Sequence, residues 1–163
     1  MSGKVLIAGV GNIFLGDDAF GVEVLRSLSQ RELPEQVCAR DFGIRGFDLA
    51  YALMEPWELV VLLDATQRGG VPGTVYVIEH KANDNTEARM SLEPHGMHPV
   101  RALDLISAMG SRAPRTVVIG CEPEDLGGEG GRMGLSPAVA ASIDEAANLA
   151  LRLASECVNA VAI

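Results

Sequence analysis

The sequence feature that most constrains the fold is the stretch of residues 5–21, which joins an apolar run to a glycine-rich turn, two adjacent carboxylates and an amphipathic segment. The run over residues 5–10 is apolar on both faces, as is typical of a strand buried in a parallel sheet. Beyond Asp17 and Asp18, apolar residues recur at helical spacing, which predicts a helix to about Arg31. Either aspartate could cap this helix, because aspartate is a favoured N-cap, and Asp17 is the preferred candidate.

The same alternation continues along the chain. Further strands are predicted at residues 36–42, 58–63, 74–79 and 115–121, and further helices at residues 47–55, 99–109 and 137–157. This order predicts one α/β domain over residues 1–163, with a three-layer α/β/α architecture and a mostly parallel five-stranded sheet. The connection before residue 74 spans about ten residues, too few for a crossover helix, so the strand at 74–79 is predicted to be antiparallel and near an edge.

Composition excludes several classes of function. The formal net charge of −9 argues against binding nucleic acid or an anionic membrane, because both need a basic face. No apolar run approaches the ~20 residues of a membrane span, and the N-terminus has no signal-peptide pattern. The three cysteines Cys38, Cys121 and Cys157 are widely spaced and form no CxxC pair, which suits a reducing compartment. We therefore expect a cytoplasmic protein.

The glycine-rich turn superficially resembles a nucleotide-binding loop. Residues 9–12 read Gly-Val-Gly-Asn, but the third glycine of a dinucleotide fingerprint would fall on Phe14. The paired carboxylates also occupy the place where a pyrophosphate would need bare amide donors. The Gly-Lys-Ser/Thr of a P-loop is missing as well, so nucleotide binding is disfavoured.

Acidic residues lie at the carboxyl ends of three predicted parallel strands: Asp17 and Asp18 after the first, Asp41 at the end of the second and Asp64 after the third. The carboxyl ends of parallel strands meet at one edge of a sheet, where ligands bind in such folds. His95 and His98 lie in a loop before a predicted helix. Two carboxylates and one imidazole suit a divalent ion such as nickel or zinc. The alternatives are a helix cap for Asp18, a turn acceptor for Asp64 and solvated loop positions for the histidines.

Other catalytic patterns are weaker. Cys121 ends a predicted strand and could be a thiol nucleophile beside a histidine, but no local signature supports this. The acidic residues of the following loop are predicted to form a solvated surface: Glu122, Glu124, Asp125 and Glu129.

Four blocks of sequence together resemble one family. They are residues 9–21 (Gly-Val-Gly-Asn-Ile through Asp-Asp-Ala-Phe-Gly), 62–65 (Leu-Leu-Asp-Ala), 94–97 (Pro-His-Gly-Met) and 119–123 (Ile-Gly-Cys-Glu-Pro). In this order and spacing the chain resembles the hydrogenase maturation endopeptidases, the nickel-dependent proteases that trim the large subunit of nickel–iron hydrogenases. The first block is the most specific of the four.

The resemblance implies an activity and a site. The protein is expected to be an aspartic-type processing endopeptidase that removes the C-terminal extension of a hydrogenase large-subunit precursor after nickel insertion. Asp18, Asp64 and His95 would be the catalytic and metal-binding residues, and His98 is the alternative histidine ligand. The nickel would be supplied by the precursor, and the protein would act as a monomer.

Three points stay open on the sequence alone. Residues 43–46 read Gly-Ile-Arg-Gly where many members carry Gly-Thr, which leaves open how this loop meets the substrate. The attacking water could be activated by the metal ion or by a carboxylate. The competing class of function is a non-catalytic nickel-binding chaperone that acts on the same precursor through the same residues.

Overall fold

The computed structural model describes residues 3–80 and 99–161. Its described part contains a five-stranded sheet with the spatial order β2-β1-β3-β5-β4. The strands are β1 (Val5–Val10), β2 (Val37–Gly43), β3 (Leu59–Ala65), β4 (Val75–His80) and β5 (Thr116–Cys121). All neighbouring pairs are parallel except β4 and β5, which are antiparallel. The predicted sheet and its antiparallel edge strand are therefore confirmed.

Helices cover both faces of the sheet. In chain order they are α1 (Phe20–Leu28), α2 (Gly46–Leu53), α3 (Pro99–Ala108), α4 (Pro137–Ala140) and α5 (Ile143–Val161), with a 3-10 turn at Gly16–Ala19 before α1. An apolar core lies on each face of the sheet. Alternate residues of β1 contribute to the two cores in turn, because successive strand side chains point to opposite faces. Val5 and Ile7 pack with α1 and α5, whereas Leu6 and Ala8 pack with α2 and α3. The result is the predicted three-layer architecture.

The prediction of one continuous helix over residues 137–157 is wrong, because the structure has two helices there. The break lies at residues 141–142, between α4 and α5. The Ser142 hydroxyl donates a 2.7 Å hydrogen bond to the Val139 carbonyl and lies 3.3 Å from the Cys121 thiol. A serine that bonds to a nearby backbone carbonyl competes with continuous helix.

Two boundaries also differ from the prediction in ways that concern the site. Strand β3 continues through Ala65, so Asp64 belongs to the strand and pairs with Gly120 of β5. Helix α1 begins only at Phe20 and ends at Leu28, three residues before the predicted end. Of the helices in the described ranges, none is long and apolar enough to cross a membrane.

Candidate active site

The loop after β1 folds back on itself at Gly11. This glycine has a φ of +140°, and a Cβ there would lie 1.8 Å from the Asp18 carbonyl oxygen. A side chain at this position is therefore excluded by both backbone conformation and space. The Gly11 amide donates to the Gly43 carbonyl at the end of β2, which fixes the loop over the carboxyl edge of the sheet.

Asp18 lies in the 3-10 turn at the end of this loop and is partly exposed. Its Oδ2 accepts a 2.8 Å hydrogen bond from the Asn12 amide, across the mouth of the loop. The turn that carries it packs against β3. Asp18 is therefore held in a set position while part of its side chain remains accessible.

The strand registers place the other two acidic positions at the same edge. Gly9 of β1 pairs with Asp41 of β2 on one side and with Leu63 of β3 on the other. Asp64 follows Leu63 and is partly exposed. Asp41 is exposed, and its Oδ1 accepts a 2.8 Å hydrogen bond from the Gly43 amide, so it closes the turn after β2.

The prediction that Asp17 caps the following helix is wrong. The N-cap of α1 is Ala19, and no side chain bonds to the cap position. Asp17 is instead 0% exposed and accepts hydrogen bonds of 2.7–2.9 Å from the amides of Glu124, Asp125 and Ser136 and from the Ser136 hydroxyl. Burial alone would raise the pKa of this carboxyl, but the hydrogen bonds outweigh burial and the pKa is lowered.

The prediction that Glu122 belongs to a solvated acidic surface is also wrong. Its side chain is 4% exposed, and its Oε1 accepts hydrogen bonds from the Gly70 amide (2.7 Å), the Tyr76 hydroxyl (2.8 Å) and the Arg68 amide (2.9 Å). Burial opposes ionisation, but these donors lower the pKa of Glu122 overall. The Arg68 guanidinium lies over the Tyr76 ring at 5.5 Å. The one local signal for this role is that Glu122 directly follows a buried strand.

The rest of the acidic loop is closer to the prediction. Glu124 and Glu129 are exposed. Asp125 forms a 2.6 Å ion pair with Arg132 and accepts a hydrogen bond from the Gly127 amide, and these contacts lower its pKa.

Cys121 is poorly placed to act as a nucleophile. Its side chain is fully buried between the sheet and the helices, with the Ser142 hydroxyl as its neighbour. Burial raises the pKa of this thiol, which leaves little of the reactive thiolate near neutral pH. The contacts of Cys121 are those of a core residue.

The two candidate histidines, His95 and His98, lie outside the described residues. Within residues 3–80 and 99–161, no three His, Cys, Asp or Glu side chains form a group that could hold a metal ion. The structure therefore places Asp18 and Asp64 at one edge of the sheet, and the histidine ligand stays a prediction from sequence.

The divergent turn at residues 43–46 borders a shallow groove beside this edge. The groove has a volume of about 290 Å³ and lies between α2 and α3. It is lined by Ile44, Gly46, Phe47, Arg101, Ala102 and Leu105. Ile44 and Gly46 of this turn therefore line an apolar depression next to the end of β2.

Comparison with known proteins decides the family. Residues 22–153 match the HycI family model, which describes a hydrogenase maturation protease. The chain belongs to the hydrogenase maturation protease family. The resemblance inferred from the four sequence blocks is therefore confirmed.

Individual relatives are similar to this chain in sequence and fold. The hydrogenase expression/formation protein HupD of Rhodobacter capsulatus is 33% identical over 153 residues, which cover 91% of this chain and 70% of that protein. The hydrogenase maturating endopeptidase HybD of Escherichia coli superposes with a TM-score of 0.78 at 29% identity, covering 94% and 93% of the two chains. A hydrogenase 2 maturation peptidase from a Thaumarchaeota archaeon gives a TM-score of 0.70 at 34% identity, covering 92% and 97%.

Proposed function

We propose that this protein is an endopeptidase that removes the C-terminal extension of a nickel–iron hydrogenase large-subunit precursor after nickel insertion. Family membership supports a hydrogenase precursor as the substrate. The observation that carries the proposal is the pair Asp18 and Asp64, two partly exposed carboxylates at one edge of the sheet. The spread of the three cysteines, none of them in a disulfide within the described residues, supports action in the cytoplasm.

The proposed site recognises nickel as part of the substrate. Asp18, Asp64 and His95 would bind an ion that the precursor already holds, with His98 as the alternative imidazole. Two carboxylates and one imidazole leave coordination positions for the precursor's own ligands. A bound divalent ion supplies Lewis-acid chemistry at the scissile carbonyl or at a water molecule. Asp18 is held by the Asn12 amide, and either Asp18 or Asp64 can accept the proton of the attacking water.

The test compares nickel-loaded and nickel-free precursor, each mixed with the purified protein and analysed by mass spectrometry. We expect a truncated large subunit and a released C-terminal peptide from the nickel-loaded precursor alone. Equal cleavage of both precursors would refute nickel recognition. Stable complex formation without any truncated product would favour the non-catalytic chaperone. Light scattering of the free protein tests the expected monomer.

A further inference from the structure

Two buried carboxylates flank the candidate active site without belonging to it. Asp17 precedes Asp18 in the chain, and Glu122 binds the segment that follows Asp64. Both are too buried to contact a protein substrate directly, at 0% and 4% exposed. Each accepts hydrogen bonds from a distant segment of the chain, so each links two segments through a buried side chain.

On the Asp18 side, the residues before it are fastened to the loop over residues 122–136. The Asp17 side chain binds this loop near its start, at Glu124 and Asp125, and at its end, at Ser136. The Asp17 amide donates in return to the Asp125 carbonyl at 2.8 Å. The neighbouring Gly16 amide donates to the Arg132 carbonyl, also at 2.8 Å.

On the Asp64 side, the segment after β3 is fastened to the start of the same loop. The Thr66 amide donates to the Cys121 carbonyl at 2.9 Å, and the Thr66 hydroxyl donates to the Asp64 carbonyl at 3.3 Å. The Arg68 and Gly70 amides then both donate to the Glu122 carboxylate. Glu122 thereby fixes the backbone conformation of the segment that follows Asp64.

We propose that Asp17 and Glu122 are positioning residues, which fix Asp18 relative to Asp64 by fastening both segments to the 122–136 loop. The inference rests on the proposed function, because it assigns these residues a role in the same reaction. Groups behind the ligands of a metal site commonly hold the ligands in a productive geometry, and their loss lowers activity. Here the two supports meet in a single loop, so loosening either one changes the separation of the two carboxylates.

A charge-neutral variant tests the Glu122 support. Tyr76→Phe removes the hydroxyl that donates to Glu122, while Tyr51→Phe removes an 80% exposed hydroxyl and is the matched control. With nickel-loaded precursor, we expect Tyr76→Phe to lower kcat about three- to tenfold with KM unchanged and to shift the acid limb of the kcat–pH profile. The Tyr76 hydrogen bond also helps to lower the pKa of Glu122, so its loss weakens the fold in acid. Each rate is therefore divided by the folded fraction measured by circular dichroism at the same pH. Tyr51→Phe is expected to match the wild type.

Glu122 itself is tested by rescue. Glu122→Ala is expected to lower kcat about 10- to 100-fold. Glu122→Gln is expected to recover most of this, because an amide oxygen can take the place of Oε1 and accept from Gly70, Tyr76 and Arg68. Glu129→Gln, in the exposed part of the same loop, is the control for charge. Circular dichroism at the assay temperature confirms the folded fraction.

The outcomes separate the inference from the proposed function. An unchanged kcat and pH profile in folded Tyr76→Phe, together with wild-type cleavage, would overturn the inference alone. If Glu122→Ala does not fold, Tyr76→Phe still decides the question. Failure of the wild type to cleave nickel-loaded precursor would overturn the proposed function and, with it, the positioning role.

Discussion

Gly21 in the first turn of α1 lies against the backbone of Leu63 in β3, so closely that a Cβ on Gly21 would be 2.1 Å from the Leu63 carbonyl oxygen. The Val10 carbonyl oxygen would be 2.5 Å from the same Cβ. The obstacles are backbone atoms of two buried strands, which cannot move aside as a flexible side chain can. This approach brings the helix that follows Asp18 against the strand that carries Asp64.

We expect Gly21→Ala to destabilise the protein and impair processing together, because relieving the clash must move α1 away from β3. The expected loss in the free energy of unfolding is about 2 kcal/mol, or about 4–8 °C in Tm for a domain of this size. Thermal denaturation followed by circular dichroism measures it. Gly130→Ala is the matched control, because a Cβ there meets nothing within 4 Å. A Gly21→Ala protein as stable as Gly130→Ala would contradict the close packing.

Asp17→Asn is expected to be strongly destabilising at neutral pH. Both carboxylate oxygens of Asp17 accept hydrogen bonds. In Asp17→Asn the NH₂ group replaces one of these oxygens and therefore faces a donor instead of accepting from it. Losing hydrogen bonds to a buried charge and facing the NH₂ toward the Ser136 amide, which donates to Oδ1, costs about 3 kcal/mol. Urea denaturation at pH 7 measures the difference, with Glu129→Gln as an exposed control. If Asp17→Asn lost no more unfolding free energy than Glu129→Gln, the role assigned to Asp17 would be contradicted.

The contribution of Asp17 should also depend on pH. Its pKa is lowered in the folded protein, so the folded state binds the proton less well than the unfolded chain does. The stabilisation is therefore fully present above about pH 4, the ordinary pKa of aspartate, and is lost as pH falls through the lower folded-state pKa. We expect the stability gap between wild type and Asp17→Asn to narrow below about pH 4 in urea titrations. If the stability difference between wild type and Asp17→Asn instead grew as the pH fell, the lowered pKa assigned to Asp17 would be contradicted.

Asp18→Asn and Asp64→Asn should separate function from stability. Both side chains are partly exposed at the sheet edge, so an isosteric amide leaves the core untouched. We expect each variant to process nickel-loaded precursor at least about a hundredfold more slowly, the range lost with a catalytic acid or base. Asp48→Asn, on an exposed face of α2, is the control. Wild-type rates in either site variant would remove that residue from the proposed site.

The sequence predicts the sheet because the strand signals are local. Residues 59–63 are apolar and buried without interruption, and the short connection to β4 already requires an antiparallel strand. The grouping of Asp18, Asp41 and Asp64 at one edge follows from parallel topology alone, since equivalent strand ends lie side by side. Local pattern and chain connectivity are therefore sufficient for the fold and for bringing these three aspartates to one edge of the sheet.

The buried supports of the site could not be predicted in this way. Asp17 takes its donors from residues 107 to 119 positions away, and most of them are backbone amides, which carry no residue-specific signal. A local view of Asp17 shows only an aspartate before a helix, for which capping is the usual role. Glu122 is similar, because its amide donors belong to a turn 52 to 54 residues earlier. Tertiary partners, rather than propensity, decide what these carboxylates do.

The choice between the two histidines can be made by substitution. The family resemblance favours His95 as the ligand, so His95→Ala is expected to abolish processing of nickel-loaded precursor, whereas His98→Ala retains most of it. His80→Ala, at the end of the edge strand β4, controls for the loss of an imidazole elsewhere. Initial rates of precursor cleavage are the measurement. The opposite ranking of the first two variants would assign the ligand role to His98.

Cys121 is expected to be chemically inert in the folded protein. It is fully buried and its pKa is raised by burial, while Cys38 and Cys157 are only partly buried. Iodoacetamide reacts with the thiolate, so Cys121 should be alkylated at least about a hundredfold more slowly than the other two until denaturant is added. Peptide mass spectrometry after timed quenching gives the three rates.

Cleavage assays of Cys121→Ala test whether the thiol takes part in the reaction. Cys121→Ala removes one buried sulfur and its contact with Ser142, which should cost about 1–2 kcal/mol of stability and leave kcat near the wild-type value at 25 °C. Ser142→Ala removes the other partner of that contact and is the matched variant. A folded Cys121→Ala protein that fails to cleave nickel-loaded precursor, while folded Ser142→Ala cleaves it normally, would restore the thiol as a candidate nucleophile.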